Sequence, residues 1–279
     1  MKTTYIGIVM MALSLLSPTA SHAQTLVNGL YYKFNTLTLE ASIDPNINEE
    51  EEDADKTGYE DEVIVVPEEI TYDNKTYKVT AINNNAFYGC RNLVSITLPN
   101  TIKHIGTFAF GACINLSDVT LPTSIKRIDY YIFLYCIALR SITIPEGVTT
   151  ISQEAFAECQ NLRSIFLPST IKFIAPKAFD KDTALKSVTV RSPTPIAIYN
   201  NIFPVYGDIY VPKGSKEAYE KAAIWQNFNI IEYTPTTGIE DCQAPLTQKS
   251  SPIFTLSGQR ASKTQSGRIY IQNGKKIIR

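Results

Sequence analysis

Histidine is nearly missing from this chain: there are two in 279 residues, His22 and His104. Hydrolytic triads and most general acid–base systems lean on histidine, so the commonest catalytic machinery is short of its central part. No Cys-x-x-Cys pair offers half of a structural zinc site. Neither a Gly-rich phosphate loop nor a nucleophile elbow is present. A surplus of one charge is missing too. Lys plus Arg total 26 and Asp plus Glu total 27, whereas a general polyanion binder carries a basic excess. Nucleic acid is therefore not an expected partner. The residues give no catalytic group, no metal site and no cofactor, and the chain reads as a protein that is not an enzyme.

Long apolar runs are also scarce. The single candidate, Ile6 to Leu16, is too short to span a bilayer. It follows Lys2 and precedes Ser17-Pro18 and the small-residue stretch Ser21-His22-Ala23. That order predicts a secretory signal peptide over residues 1–23, cut after Ala23. No cysteine follows the cut, so a lipoprotein anchor is not indicated. The cleaved chain would be secreted or displayed at the cell surface, with His104 as its sole histidine.

What the chain has instead is a period. Cys90, Cys113, Cys136 and Cys159 are each 23 residues apart. In the same register run Leu93, Leu116, Leu139, Leu162 and Leu185, then Ile96, Val119, Ile142, Ile165 and Val188. Leu98, Leu121, Ile144, Leu167 and Val190 follow, and after them Pro99, Pro122, Pro145 and Pro168, with Arg191 in the fifth row. Ile105, Ile128, Ile151 and Ile174 precede a closing column of Phe110, Phe133, Phe156 and Phe179. A half-row with Val79, Ile82, Phe87 and Cys90 comes first. A fixed period in the twenties predicts a solenoid whose apolar columns point inward and stack on their neighbours. Leu-x-x-Ile-x-Leu is a short strand with alternating faces, ended by a proline that cannot donate to a ladder. Successive strands are expected to pair in parallel. The cysteines then make one column of the stacked core, as small hydrophobes rather than disulfides. The fifth row places Asp182 in that column, as the last coil loosens towards a cap. Cys242 lies outside the repeats.

The stretch "AFYGCRNLVSITLPNTIKHIG" resembles the BspA-type leucine-rich repeats of bacterial surface proteins, over about residues 63–190. The resemblance implies a leucine-rich-repeat solenoid, mainly β, with a parallel sheet on one face and irregular turns on the other. Only the first full row keeps the closing glycine, Gly106; the others have Asp129, Ser152 and Ala175.

Solenoid ends need caps. The expected organisation is an N-terminal β cap over 24–78, repeats over 79–190, an α/β C-terminal cap over 191–233, a linker over 234–250 and a small β tail over 251–279. Asn28-Gly29 and the turn near Asp73-Asn74 mark hairpins in the first cap. In the second, a strand at Ile209 to Val211 precedes a short helix capped by Ser215 and running through Ala223. Trp225 and Phe228 then plug the open end. The acidic stretch Glu49 to Asp53 fits no calcium-loop spacing and reads as a solvated loop. The tail resembles the C-terminal tails of many secreted Bacteroidota proteins, including type IX sorting domains; a plain β-module is the alternative.

The outward columns hold the functional information. Mostly they are Thr, Ser and Lys. Phe166 and Phe173 interrupt them, and Arg140, Arg163 and Lys186 flank Phe166 in neighbouring rows. Exposed aromatics with a basic rim suggest a binding patch around coils three to five. Burial of these phenylalanines under the C-terminal cap or the tail module is the competing expectation. Tyr130, Tyr131 and Tyr135 cluster on the turn side of coil two. The family resemblance implies adhesion or another protein–protein interaction, with a host extracellular protein or another cell-surface protein as partner. A glycan-binding accessory role and a structural surface role are the alternatives.

Overall fold

The structure, a computed structural model, describes residues 24–46 and 59–234, and the backbone of three strands in the tail. The signal peptide expected at 1–23, the acidic stretch and most of the linker lie outside the described residues.

The first cap is built by local turn chemistry. β1 (Thr25–Val27) and β2 (Leu30–Asn35) are antiparallel across Asn28 and Gly29, at φ 50° and 86°. Two positive φ values in a two-residue loop match the right-handed twist of a hairpin. β3 (Glu40–Ile43) adds to β2. β5 (Glu69–Tyr72) and β6 (Lys75–Ile82) form the second hairpin across Asp73 and Asn74, at φ 48° and 56°. β6 also lies parallel to β3 and so ties the two hairpins into one sheet.

The repeats form two rows of parallel strands. The main one uses β7 (Ser95–Thr97), β9 (Asp118–Thr120), β11 (Ser141–Thr143), β13 (Ser164–Leu167) and β15 (Ser187–Val190), and its pairing is interrupted once, between β9 and β11. The second uses the two-residue strands β8 (His104–Ile105), β10 (Arg127–Ile128), β12 (Thr150–Ile151) and β14 (Phe173–Ile174); the last three pair with one another, while β8 pairs with β6. Partners pair 23 residues apart, as in Ser141 with Ser164 and Ser164 with Ser187. The main ladder starts earlier than the repeat columns suggest. β4 (Val63–Val65) pairs parallel with β7, so residues within the expected cap already form a rung. It also ends later: β16 (Asp208–Pro212) and β17 (Asn229–Tyr233) continue it in parallel beyond β15.

The core is a column of aromatic rings. Phe87, Phe110, Phe133, Phe156, Phe179 and Phe203 stack with centroids 5.4 Å apart at each step. Tyr59 begins the column, 5.1 Å from Phe87, with its hydroxyl donating to the Asp44 carbonyl at 2.6 Å. Trp225 and Phe228 close it against Phe203, at 5.9 and 5.3 Å, and the Trp225 Nε1–H donates to the Ile196 carbonyl. The tryptophan is a plug, as expected.

Beside the rings runs the cysteine column, buried and reduced. Three of the four thiols donate to a phenylalanine carbonyl one coil back: Cys113 to Phe87 at 3.0 Å, Cys136 to Phe110 at 3.2 Å and Cys159 to Phe133 at 3.1 Å; the first, Cys90, accepts from the Tyr59 N–H at 3.2 Å. This explains the repeat of cysteine in particular, because the corner admits a small apolar side chain with one weak donor.

The cap helix α1 (Lys216–Lys221) is shorter than the sequence suggests. Ser215 precedes it, but its side chain makes no capping bond and is buried. The Glu232 carboxylate on β17 instead accepts from the N–H groups of Gly214 and Lys216, at 2.8 and 3.2 Å. The tail strands β18 (Phe254–Thr255), β19 (Ile269–Gln272) and β20 (Lys275–Ile278) form an antiparallel sheet.

Candidate functional site

Arg140, Arg163 and Lys186 precede β11, β13 and β15 by one residue, so each heads one rung. Backbone bonds fix them side by side: Arg163 N–H to the Arg140 carbonyl at 2.8 Å, and Lys186 N–H to the Arg163 carbonyl at 3.1 Å. All three side chains are exposed, and none makes an ion pair among the described residues. The next position in the row is Gly207. A Cβ there would run into the Lys186 backbone, so the rung packs too closely for any larger residue and the row stays open beyond Lys186.

Phe166 requires a correction. It is 7% exposed, and the Arg191 guanidinium lies over its ring at 4.8 Å from the centroid. Arg191 is itself held by Glu146, at 3.4 Å. The cause is the exception in the fifth row, where Arg191 replaces the turn proline and its long side chain reaches back one coil. Two departures from the repeat, Thr to Phe at 166 and Pro to Arg at 191, answer each other; that pairing was the available signal.

Phe173 is exposed at 41% and meets Tyr199 edge-on at 6.4 Å. It stands on β14, in the second ladder, while the basic row heads strands of the main one. The structure therefore separates Phe173 from the cations rather than bringing the five residues into one patch.

His104 is exposed, as expected. It borders an open cleft of about 460 Å³ lined also by Gln24, Lys33, Asp44, Asn83 and Asn84. The buried Asp44 carboxylate is fully engaged there, by Gln24 at 2.5 Å, Lys33 at 2.8 Å and Asn83 at 2.9 Å. Among the described residues, no three His, Cys, Asp or Glu side chains are grouped as a metal site needs.

Asp182 takes the place of the fifth cysteine. Its side chain is fully buried, and neither carboxyl oxygen has a hydrogen-bond partner among the described residues. Burial pushes its pKa up from 3.8 to about 9, partly offset by the nearby Cys159 backbone N–H, and the charges of Glu158 and Asp180 add to the rise. At neutral pH it is a neutral acid in a thiol's position.

These features define a capped leucine-rich-repeat solenoid with an outward surface that varies from coil to coil. Residues 74–205 match the BspA type leucine rich repeat region in six copies, and that part of the chain is a run of such repeats. A leucine rich cell surface protein from Faecalibacterium prausnitzii is 29% identical, with a TM-score of 0.50, over 60% of this chain and 39% of that one. This chain thus matches well under half of that protein's length. The leucine rich repeat protein of T. pallidum shares the fold at 23% identity and a TM-score of 0.52, over 68% of this chain and 86% of that one. A leucine-rich repeat protein from Bacteroides ovatus is 23% identical, with a TM-score of 0.49, over 67% of this chain and 55% of its own. None of the curated proteins compared matches the chain. Among the described residues, no helix is long and apolar enough to cross a membrane.

Proposed function

We propose that this chain is a secreted or cell-surface binding protein that takes an acidic protein partner through its repeat surface and so mediates adhesion. The observation that carries the reading is the row Arg140, Arg163 and Lys186. Three like charges on adjacent rungs, roughly 4.8 Å apart, repel one another. None is neutralised from within the described residues. A complementary acidic surface would relieve that repulsion and steer association. Phe173 offers a second anchor on the neighbouring ladder. The description of the F. prausnitzii relative as a cell surface protein supports the location.

The test is a binding screen of the cleaved chain against extracellular-matrix proteins by biolayer interferometry, at low and high salt. Saturable binding that weakens with salt is expected. Arg163→Glu removes one exposed pair and adds one repulsion, so affinity should fall about tenfold at low salt, from about 0.2–1 kcal/mol per interaction. Binding that ignores both salt and the charge reversal would overturn the assignment of this row.

A further inference from the structure

The irregular turn side of the first coils carries an aromatic cluster that neither core nor caps use. Phe108 and Tyr131 occupy one column in successive coils, with rings 4.6 Å apart and 5° from parallel. Tyr88 meets Phe108 edge-on at 6.0 Å and 87°. Gly111 clears their seat: a Cβ there would stand 3.0 Å from the Tyr88 ring and 3.2 Å from that of Phe108. Tyr88, Tyr130 and Tyr135 remain 44%, 46% and 44% exposed. None of the four tyrosine hydroxyls has a hydrogen-bond partner among the described residues.

The backbone beneath these rings is strained. Phe108, Tyr131 and Tyr135 lie in the left-handed region, at φ 55°, 57° and 59°. Bulky side chains rarely adopt that conformation, which suits glycine and asparagine. Both columns are left-handed in every coil, through Asn85, Glu154 and Lys177 in one and Gly89, Ala112, Glu158 and Lys181 in the other. The positive φ is therefore set by the repeat, and what is particular to these coils is the choice of aromatic side chains.

The nearby cations are paired. Arg127 donates to both Asp129 carboxylate oxygens at 3.1 Å and Lys181 pairs with Glu158 at 2.5 Å, while Glu154 keeps its negative charge and accepts from the neutral Gln153 amide at 3.2 Å. An acidic protein or an anionic polymer would call for free cations, and these are spent internally. A neutral pyranose chain suits the surface better. Its C–H faces carry slight positive charge and pack on the electron-rich faces of aromatic rings. Its hydroxyls can both donate to and accept from free tyrosine hydroxyls. We propose that Tyr88, Phe108, Tyr130, Tyr131 and Tyr135 form a platform that binds a neutral polysaccharide, independently of the basic row.

Native affinity electrophoresis of the cleaved full chain tests this, in gels containing soluble β-glucan, xylan, galactomannan or α-mannan. At least one polysaccharide should retard the protein, equally at low and high salt. The double variant Phe108→Asn/Tyr131→Asn should lose at least tenfold in affinity. Its melting temperature should stay level or rise, because asparagine is already the residue of that column at Asn85. Arg163→Glu should leave the retardation unchanged, which separates this site from the protein-binding reading. Absence of retardation in all four gels, or retardation that survives the double variant, would overturn the proposal. So would a marked fall in melting temperature, which would assign the rings to folding, or loss of protein capture alone, which would assign them to a protein partner.

Discussion

Asp182→Cys should stabilise this protein, by an amount that grows with pH. The carboxyl is fully buried, with no close hydrogen-bond partner for either oxygen among the described residues. Its pKa is 3.8 in an unfolded chain and about 9 in the folded one. Between those values the unfolded chain releases the proton while the folded chain holds it. Stability therefore falls as pH rises across that window, by roughly 1.4 kcal/mol per pH unit. Counted from 3.8, the ceiling on this loss is on the order of 2 kcal/mol at pH 5 and 6 kcal/mol at pH 8. A cysteine in the same place removes the titration. Its thiol would reach the Phe156 carbonyl as Cys113, Cys136 and Cys159 reach theirs. The smaller side chain leaves a small void, worth ~1 kcal/mol against the variant. The net expectation is little change at pH 5 and a gain of several kcal/mol at pH 8. For a unit of this size each kcal/mol moves the melting temperature by about 2–4 °C. Melting of both proteins by circular dichroism, at pH 5, 6.5 and 8 under reducing conditions, reads the difference directly. A gain that does not vary with pH, or a loss at pH 8, would refute the reasoning.

Three other perturbations follow from the packing. Phe133→Ala opens the middle of the ring column, between Phe110 and Phe156, and should cost about 3–5 kcal/mol in urea unfolding; the exposed Phe173→Ala should cost under about 1 kcal/mol. In a Cys242→Ser background Cys113, Cys136 and Cys159 should resist a thiol reagent at pH 8 until the protein unfolds, because the hydrogen bond with Cys90 together with burial pushes Cys113 upward and burial pushes Cys136 and Cys159 upward; Cys90, lowered by its hydrogen bond with Cys113, is the one column thiol open to reaction. Labelling of the native protein at more than one site would contradict that. Arg191→Ala removes the guanidinium 4.8 Å from the Phe166 ring. It should lower stability by about 0.5–2 kcal/mol and raise binding of an apolar dye, since an uncovered ring is new apolar surface.

The sequence by itself determined what a periodic chain repeats. Leu93, Ile96 and Phe110 each recur with their surroundings, so every coil faces the same choice of inside and outside and answers it identically. The 23-residue register, the ring and thiol columns and the parallel ladders all follow from that. The Asn28-Gly29 and Asp73-Asn74 hairpins were equally readable, because turn geometry is set by two residues. Trp225 as a plug followed from its place after the last coil.

Only the tertiary structure decided matters in which one coil meets something unlike itself. The main ladder runs on through β16 and β17, because strand pairing needs backbone and register rather than the leucine pattern. Glu232 caps α1 in place of Ser215, since the chain returns beside the helix sixteen and eighteen residues later. Phe166 is covered by an arginine from the next coil, and Phe173 is left exposed on another ladder, so the candidate patch divides. Asp182 stays in the column as a neutral acid because the folded coils bury it completely and desolvation disfavours its charged form. Column positions are set by repetition along the chain; the fate of an exception is set by which distant segment comes to lie against it.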